Sequence, residues 1–315
     1  MSELAPKLPQ RVRIVEVGPR DGLQNEPLPV PLVEKLRFVK ALIRAGFPAV
    51  EVGAFVRPDL VPQMADTAEV IAALSTEERV VSGEVELVAL VPNLRGLQRA
   101  KESGIRSIAI FTAASEAFNQ ANTRVSIEES LQRFAAIIED ARSSGIAVRG
   151  YLSTCWWCPF SGRVDPEKVE RVVARLLELG CDQVSVADTV GAATPLEVRA
   201  LLTRLVQTHP LERLAVHFHA TRGTALANTM VALELGISTI DAAAGGLGGC
   251  PFAPGAAGNL ATEELIFMLH GMGIETGIDI EAVRQASLRM EALFGRALPS
   301  RYLRAGPFVP RDGSA

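Results

Sequence analysis

The chain has 315 residues, 48% of them hydrophobic and 22% charged, with a formal net charge of −4. That length buries a large core and suits one large α/β domain or two small ones. The slightly acidic balance offers no basic footprint for nucleic acid, and no apolar run nears the roughly 20 residues that cross a bilayer. Met1–Gln10 lacks the apolar core of a secretion signal, so the expected location is cytoplasmic.

Taken in order, short β-branched strands alternate with amphipathic helices. A strand at Arg13–Gly18 precedes a helix over Leu32–Ala45. Strands at Ala49–Phe55, Glu86–Val91 and Ser107–Ala113 lead to a helix over Ile127–Ser143. A strand at Ala147–Ser153 is followed by a helix over Pro166–Leu179, and one at Gln183–Asp188 by a helix over Pro195–Thr208. A strand at Leu214–Ala220 precedes a helix over Thr224–Leu235. The last strand, Thr239–Ala244, precedes helices over Leu260–His270 and Ile280–Phe294. Gly46 and Gly180 fall where a helix C-cap needs a left-handed residue.

Eight such units predict an α/β fold, a (β/α)8 TIM barrel with an additional C-terminal helix. A doubly wound sheet would want a glycine-rich phosphate loop after its first strand; here that loop reads Gly18-Pro-Arg-Asp-Gly-Leu-Gln-Asn-Glu26. The expected organisation is a flexible N-terminus over residues 1–10, a single barrel domain over 11–298 and a tail over 299–315.

Polar groups at the C-terminal ends of barrel strands carry the chemistry of this architecture. Arg20 and Asp21 follow the first strand and form, at the least, a salt bridge or turn. Glu51, between Val50 and Val52, faces the interior and needs a partner there: either a structural ion pair with Arg20 or a group that orients Arg20 toward substrate. Asp188 is a turn aspartate or an interior carboxylate at the mouth. The sharpest pattern is Val216-His217-Phe218-His219, because residues two apart in a strand share a face and the chain has only four histidines. Asp21 and Asn259 add hard oxygen donors, and two imidazoles with two oxygens suit Mg2+ or Mn2+ better than zinc.

Between Ala244 and Asn259 runs a glycine-dense loop whose one reactive side chain is Cys250. That thiol is either a spacer or a general acid or base on a closing lid. Cys155 and Cys158 form a C-x-x-C pair with no second pair for zinc, and they read as ordinary thiols near a strand end.

The segments Val15–Glu26, Val61–Asp66, Ser126–Ser130, Ala187–Gly191, Val216–His219, Gly246–Pro251 and Gly258–Glu263 together resemble the 3-hydroxy-3-methylglutaryl-CoA lyase family. The resemblance spans about residues 12 to 295. It implies a TIM barrel, Mg2+- or Mn2+-dependent carbon–carbon cleavage of an acyl-CoA, and a homodimer. By it, Asp21, His217, His219 and Asn259 hold the metal, and Arg20 stabilises the thioester enolate. Glu51 and Asp188 support these groups, Cys250 moves a proton, and Glu263 lies close behind the metal.

Departures fall at Ala220–Arg222, at Val52–Leu60 and at Trp156-Trp157, all read as possible pocket linings that could shift the acyl group. Arg57, Arg95, Arg163 and Arg222 are candidates for the CoA phosphates. Two rivals are a condensing synthase of the same superfamily, which usually carries a longer C-terminal extension, and a non-catalytic barrel. Joint retention of the six residues Arg20, Asp21, His217, His219, Cys250 and Asn259 speaks against the latter.

Overall fold

In the computed structural model, residues 8–249 and 258–308 are described. The early barrel strands are β1 (Arg13–Glu16), β2 (Ala49–Ala54), β3 (Glu86–Leu90), β4 (Ser107–Ala113) and β5 (Ala147–Ser153). A two-residue hairpin, β6 (Trp157–Cys158) with β7 (Gly162–Arg163), follows. The series ends with β8 (Gln183–Asp188), β9 (Leu214–Phe218) and β10 (Thr239–Ala242). The closed ring runs β1, β10, β9, β8, β5, β4, β3, β2, all neighbours parallel, so β1 pairs with both β2 and β10. This is the expected (β/α)8 barrel, and the helix Ile280–Phe294 is the expected additional one. Among the described residues no helix is long and apolar enough to cross a membrane.

Strand positions were legible because apolar β-branched runs are sheltered on both faces of a parallel sheet. The C-terminal ends of several were not. The first strand stops at Glu16 because Gly18–Gly22 winds into a π-helix, and β9 and β10 stop at Phe218 and Ala242. Four helices that the sequence reading left out, Thr67–Leu74, Glu78–Val81, Leu94–Glu102 and Glu116–Thr123, lie between successive barrel strands. Leu94–Glu102 buries only Gly96, Leu97 and Ala100. In the segment expected to be a tail, Arg301–Ala305 forms a short helix that buries Tyr302 and Leu303.

Gly46 and Gly180 take the expected left-handed caps, at φ +107° and +109°. β2 carries a bulge between Glu51 and Gly53. A Cβ at Gly53 would fall 2.4 Å from Thr67 Oγ1, whose hydroxyl accepts from Ala54 N at 3.0 Å. Bulges of this kind re-aim side chains next to active sites, and Glu51 is the residue directly before it.

Candidate active site

The site is built on the C-terminal rim of the barrel. In the π-helix, Arg20 N, Asp21 N and Gly22 N all point at Val17 O, at 3.1, 2.7 and 3.3 Å. A wide π-turn of this kind is frequent at functional sites, and here it turns the consecutive side chains of Arg20 and Asp21 into one cavity of about 560 Å3. A Cβ at Gly22 would strike Leu247 Cβ at 2.7 Å, so only glycine lets this turn lie against the glycine-rich segment.

Arg20 Nη1 donates to Asp21 Oδ1 at 2.7 Å, and Arg20 Nη2 lies 2.9 Å from Glu51 Oε2. The expected Arg20–Glu51 pair is therefore present, with Glu51 wholly buried. Burial opposes the Arg20 charge, but Glu51 and Asp21 outweigh it and keep the guanidinium protonated. Burial likewise opposes ionisation of Asp21, yet Arg20 and the two imidazoles hold its pKa at about 2.

Ligand atoms of Asp21, His217 and His219 all lie within 4.8 Å of one another. Asn259 arrives beside them because residues 258–260 pair with the end of β9: Ala220 N donates to Gly258 O at 2.7 Å and Leu260 N to Phe218 O at 3.0 Å. Its amide donates to Asp21 Oδ2 at 2.8 Å and to Leu247 O at 3.0 Å. Asn259 Oδ1 and His219 Nδ1 are buried with no hydrogen-bond partner among the described residues.

Orphaned buried acceptors are costly, and two of them beside a carboxylate and a second imidazole are the donor set a divalent cation would satisfy. Burial and the neighbouring His217 press the pKa of His219 down to about 4, so the ring is neutral and free to donate a lone pair.

Other expected residues do different work. Asp188 accepts from the backbone amides of Ala192 and Ala193 at 3.1 and 3.0 Å and does not line the cavity, which is bordered instead by Ala187 and Thr189. The turn reading of Asp188 is therefore the one the geometry supports: β8 alternates faces, and Ala187 holds the inward position. Glu263, fully buried, accepts from Gly245 N at 2.9 Å and from the hydroxyl of Ser287. It braces the start of the glycine-rich segment from behind. Cys250 lies outside the described residues.

Trp156 is buried against Phe218 and donates to Glu197 O at 3.1 Å. Arg163 stacks on Trp157 and pairs with Glu197. Arg222 is tied to the carbonyls of Val190 and Gly191. None of these, nor Ala220, lines the cavity; of the departing segments only Val52–Leu60 reaches it, through Val56 and Leu60. Cys155, Cys158 and Cys181 are free thiols, and Cys155 Sγ is bonded to Leu152 O.

Sequence reasoning missed a set of polar residues inside the barrel. Asp241 on β10, Arg149 and Tyr151 on β5 and Ser185 on β8 are all buried and linked to one another. Their signal was a charged or polar residue in an otherwise apolar strand, the same signal that picked out Glu51. Glu16 was missed too. It accepts from Gly18 N at 2.8 Å, Ala244 N at 2.9 Å and Thr262 Oγ1 at 2.8 Å, and burial pushes its pKa up to about 8.

Gly248 sits at φ +105°, and a Cβ there would lie 2.7 Å from Asn259 Nδ2. Gly248→Ala is expected to cost about 1–2 kcal/mol in backbone strain and to push the Asn259 amide away from Asp21. Thermal melting and Mn2+ titration of the variant check this; an unchanged Mn2+ affinity would show that Asn259 is not part of the donor set.

The fold and site together define a TIM-barrel protein with a site competent for a divalent cation beside a buried arginine. The HMGL-like family model matches residues 11–289. A Pseudomonas aeruginosa protein named 3-hydroxy-3-isohexenylglutaryl-CoA/hydroxy-methylglutaryl-CoA lyase is 46% identical over 298 residues, covering 95% of this chain and 98% of that one. The mitochondrial hydroxymethylglutaryl-CoA lyase of Bos taurus is 47% identical over 278 residues, covering 88% and 84%. A crystal structure of hydroxymethylglutaryl-CoA lyase from Pseudomonas aeruginosa superposes with a TM-score of 0.91 over 95% of this chain and 98% of that one, at 46% identity. The chain belongs to the HMGL-like family.

Proposed function

We propose that the chain is a divalent-cation-dependent carbon–carbon lyase that cleaves 3-hydroxy-3-methylglutaryl-CoA to acetyl-CoA and acetoacetate. The observation that carries this reading is the meeting of Asp21, His217, His219 and the orphaned Asn259 oxygen beside Arg20 in one cavity. Asp21, His217, His219 and Asn259 would hold the cation, and the oxygen-bearing donor set favours Mg2+ or Mn2+. When bound, the cation supplies Lewis acidity to substrate oxygens.

The chain's own residues account for the rest. Loss of the tertiary hydroxyl's proton to a base, with cleavage of the neighbouring carbon–carbon bond, leaves the hydroxyl-bearing carbon as a ketone and passes the bonding pair to the other fragment as the enolate of acetyl-CoA. Arg20, fixed by Glu51 and Asp21 and with Nε unpartnered, presents hydrogen-bond donors to that developing oxyanion. Protonation of the enolate carbon gives the methyl group of acetyl-CoA, the role the resemblance assigns to Cys250.

A finer reading concerns the 3-alkyl group. Part of the cavity wall is apolar, lined by Val56, Leu60, Val61, Leu90, Phe111 and Phe118. Such a wall favours a larger 3-alkyl substituent at about 0.8 kcal/mol for each buried CH2, and the Pseudomonas aeruginosa relative is named for an isohexenyl substrate as well as the methyl one. For the CoA phosphates, Arg95 is favoured over Arg163 and Arg222, which are engaged elsewhere, and over Arg57, which pairs with Asp59; Arg57 and Arg95 nonetheless lie together. They share a second cavity of about 510 Å3 with Arg99, and Val56 borders both cavities. The homodimer rests on the resemblance, and sedimentation equilibrium tests it.

Acetyl-CoA release from 3-hydroxy-3-methylglutaryl-CoA, measured with Mg2+, with Mn2+ and after chelation, tests the function. Release that stops on chelation and returns with metal supports it; no release from folded, metal-loaded protein overturns it. The same assay with a longer 3-alkyl analogue tests the finer reading, which fails if the methyl substrate is cleaved and the longer one refused.

A further inference from the structure

A circuit of buried polar groups surrounds the inside of the barrel rim. From Arg20 it passes to Glu51 Oε2 at 2.9 Å, and Tyr151 OH donates to that same oxygen at 3.2 Å. Arg149 Nη1 donates to Tyr151 OH at 3.0 Å, and Arg149 Nη2 lies 2.7 Å from Asp241 Oδ1. The second oxygen of Asp241 accepts from Ser185 Oγ at 2.8 Å and meets His217 Nδ1 at 3.3 Å. His217 belongs to the cluster with Asp21, which closes the circuit on Arg20 at 2.7 Å. Register explains the convergence: Asp241 on β10 and Ala187 on β8 both lie directly opposite His217 on β9, so the shared level of the ring is set by backbone pairing.

We propose that Asp241 is a positioning residue for His217: by accepting its Nδ1–H, it fixes the tautomer and turns Nε2 toward Asp21 and His219 as the metal donor. A carboxylate has no proton to give, so the hydrogen between the two belongs to the imidazole. Arg149 holds one oxygen of Asp241 at 2.7 Å, and Ser185 donates at 2.8 Å to the oxygen that faces the ring. Carboxylates that hold the remote nitrogen of a metal-binding histidine raise its basicity and set its orientation. Asp241 itself is 1% exposed and does not border the cavity, so it acts on the reaction only through His217. The proposal rests on the metal reading given above.

The test is Mn2+ binding, followed by electron paramagnetic resonance of the free ion, for wild type and Asp241→Asn, with folding checked by circular dichroism. Loss of affinity of about 10–100-fold in a folded Asp241→Asn variant is expected, with kcat largely recovered at saturating Mn2+. Wild-type affinity in the variant overturns the proposal. Wild-type protein that binds no Mn2+ overturns the metal reading along with it. A second measurement does not depend on the variant folding. In 15N-histidine-labelled wild-type protein, with four histidines to assign, His217 should show the Nδ1–H tautomer; an Nε2–H tautomer rejects the assignment.

Discussion

His219→Ala is expected to abolish stabilisation by divalent cations while leaving the metal-free protein as stable as wild type. The two halves of this result have separate causes. In the absence of metal, His219 Nδ1 is buried without a partner among the described residues, and an unsatisfied buried group costs about 1–3 kcal/mol. Removing the ring relieves that cost and leaves a cavity in its place, so the two terms offset. With metal, a ligand present at 100 times its Kd stabilises the native state by about 2.7 kcal/mol.

The wild-type melting temperature should therefore rise with Mn2+ and that of His219→Ala should not, in step with loss of acetyl-CoA release. Affinity should fall by more than the roughly 10–100-fold typical of residues one step removed from a metal. A variant that still melts higher with Mn2+ would place the cation elsewhere. The effect is a stability–function trade: the orphaned atoms strain the empty protein and are what make it able to bind.

Arg20→Met is the second large effect, and here stability and catalysis fall together. Glu51 is fully buried, with Arg20 as its one cationic partner within salt-bridge distance among the described residues. Stripping a partner from a buried ion pair costs about 3–5 kcal/mol. Burial already drives the Glu51 carboxyl above its ordinary range despite Arg20, so without the guanidinium it is expected to take up a proton.

The catalytic loss has a different origin, since removing one preorganised donor to an oxyanion lowers kcat on the order of 10^2–10^3-fold. The double variant Arg20→Met/Glu51→Gln separates the two. It should recover much of the stability in chemical denaturation, because the buried Glu51 charge is gone and Asp21 keeps its bonds from Gln24 and Asn259, while kcat stays low. If kcat returned with stability, Arg20 would be a structural cation and the oxyanion role would go elsewhere.

What could be read before any coordinates existed follows from local chemistry. The helix over Ile127–Ser143 begins at a Ser126/Glu129 capping box and ends where expected. The three barrel strands between Ser107 and Asp188 matched residue for residue, because their apolar runs are bounded by turn residues on both sides, whereas the short hairpin at Trp157–Arg163 was not foreseen. His217 and His219 were legible because a strand's two-residue period puts alternate side chains on one face whatever the tertiary context.

The tertiary structure alone decided the rest. Asp21 and Asn259 stand 238 residues apart in the chain and bond at 2.8 Å only because β1 and β9 flank β10 in a closed ring. Local sequence has no term for such closure. The π-helix at Gly18–Gly22 depends on Gly22 fitting against Leu247 and on Glu16 bridging to Ala244 and Thr262, contacts made across the barrel. Asp188 could not be assigned from its own neighbourhood, since both readings of it are chemically sound; facing was settled by the parity of β8 against His217. Asp241 stands out as a charge in a short apolar strand, but its partners were decided only when Arg149 and His217 were brought within reach of its two oxygens. The chain's local chemistry specified which elements form and which side chains carry reactivity, whereas their meeting in one cavity is a property of ring closure and strand register.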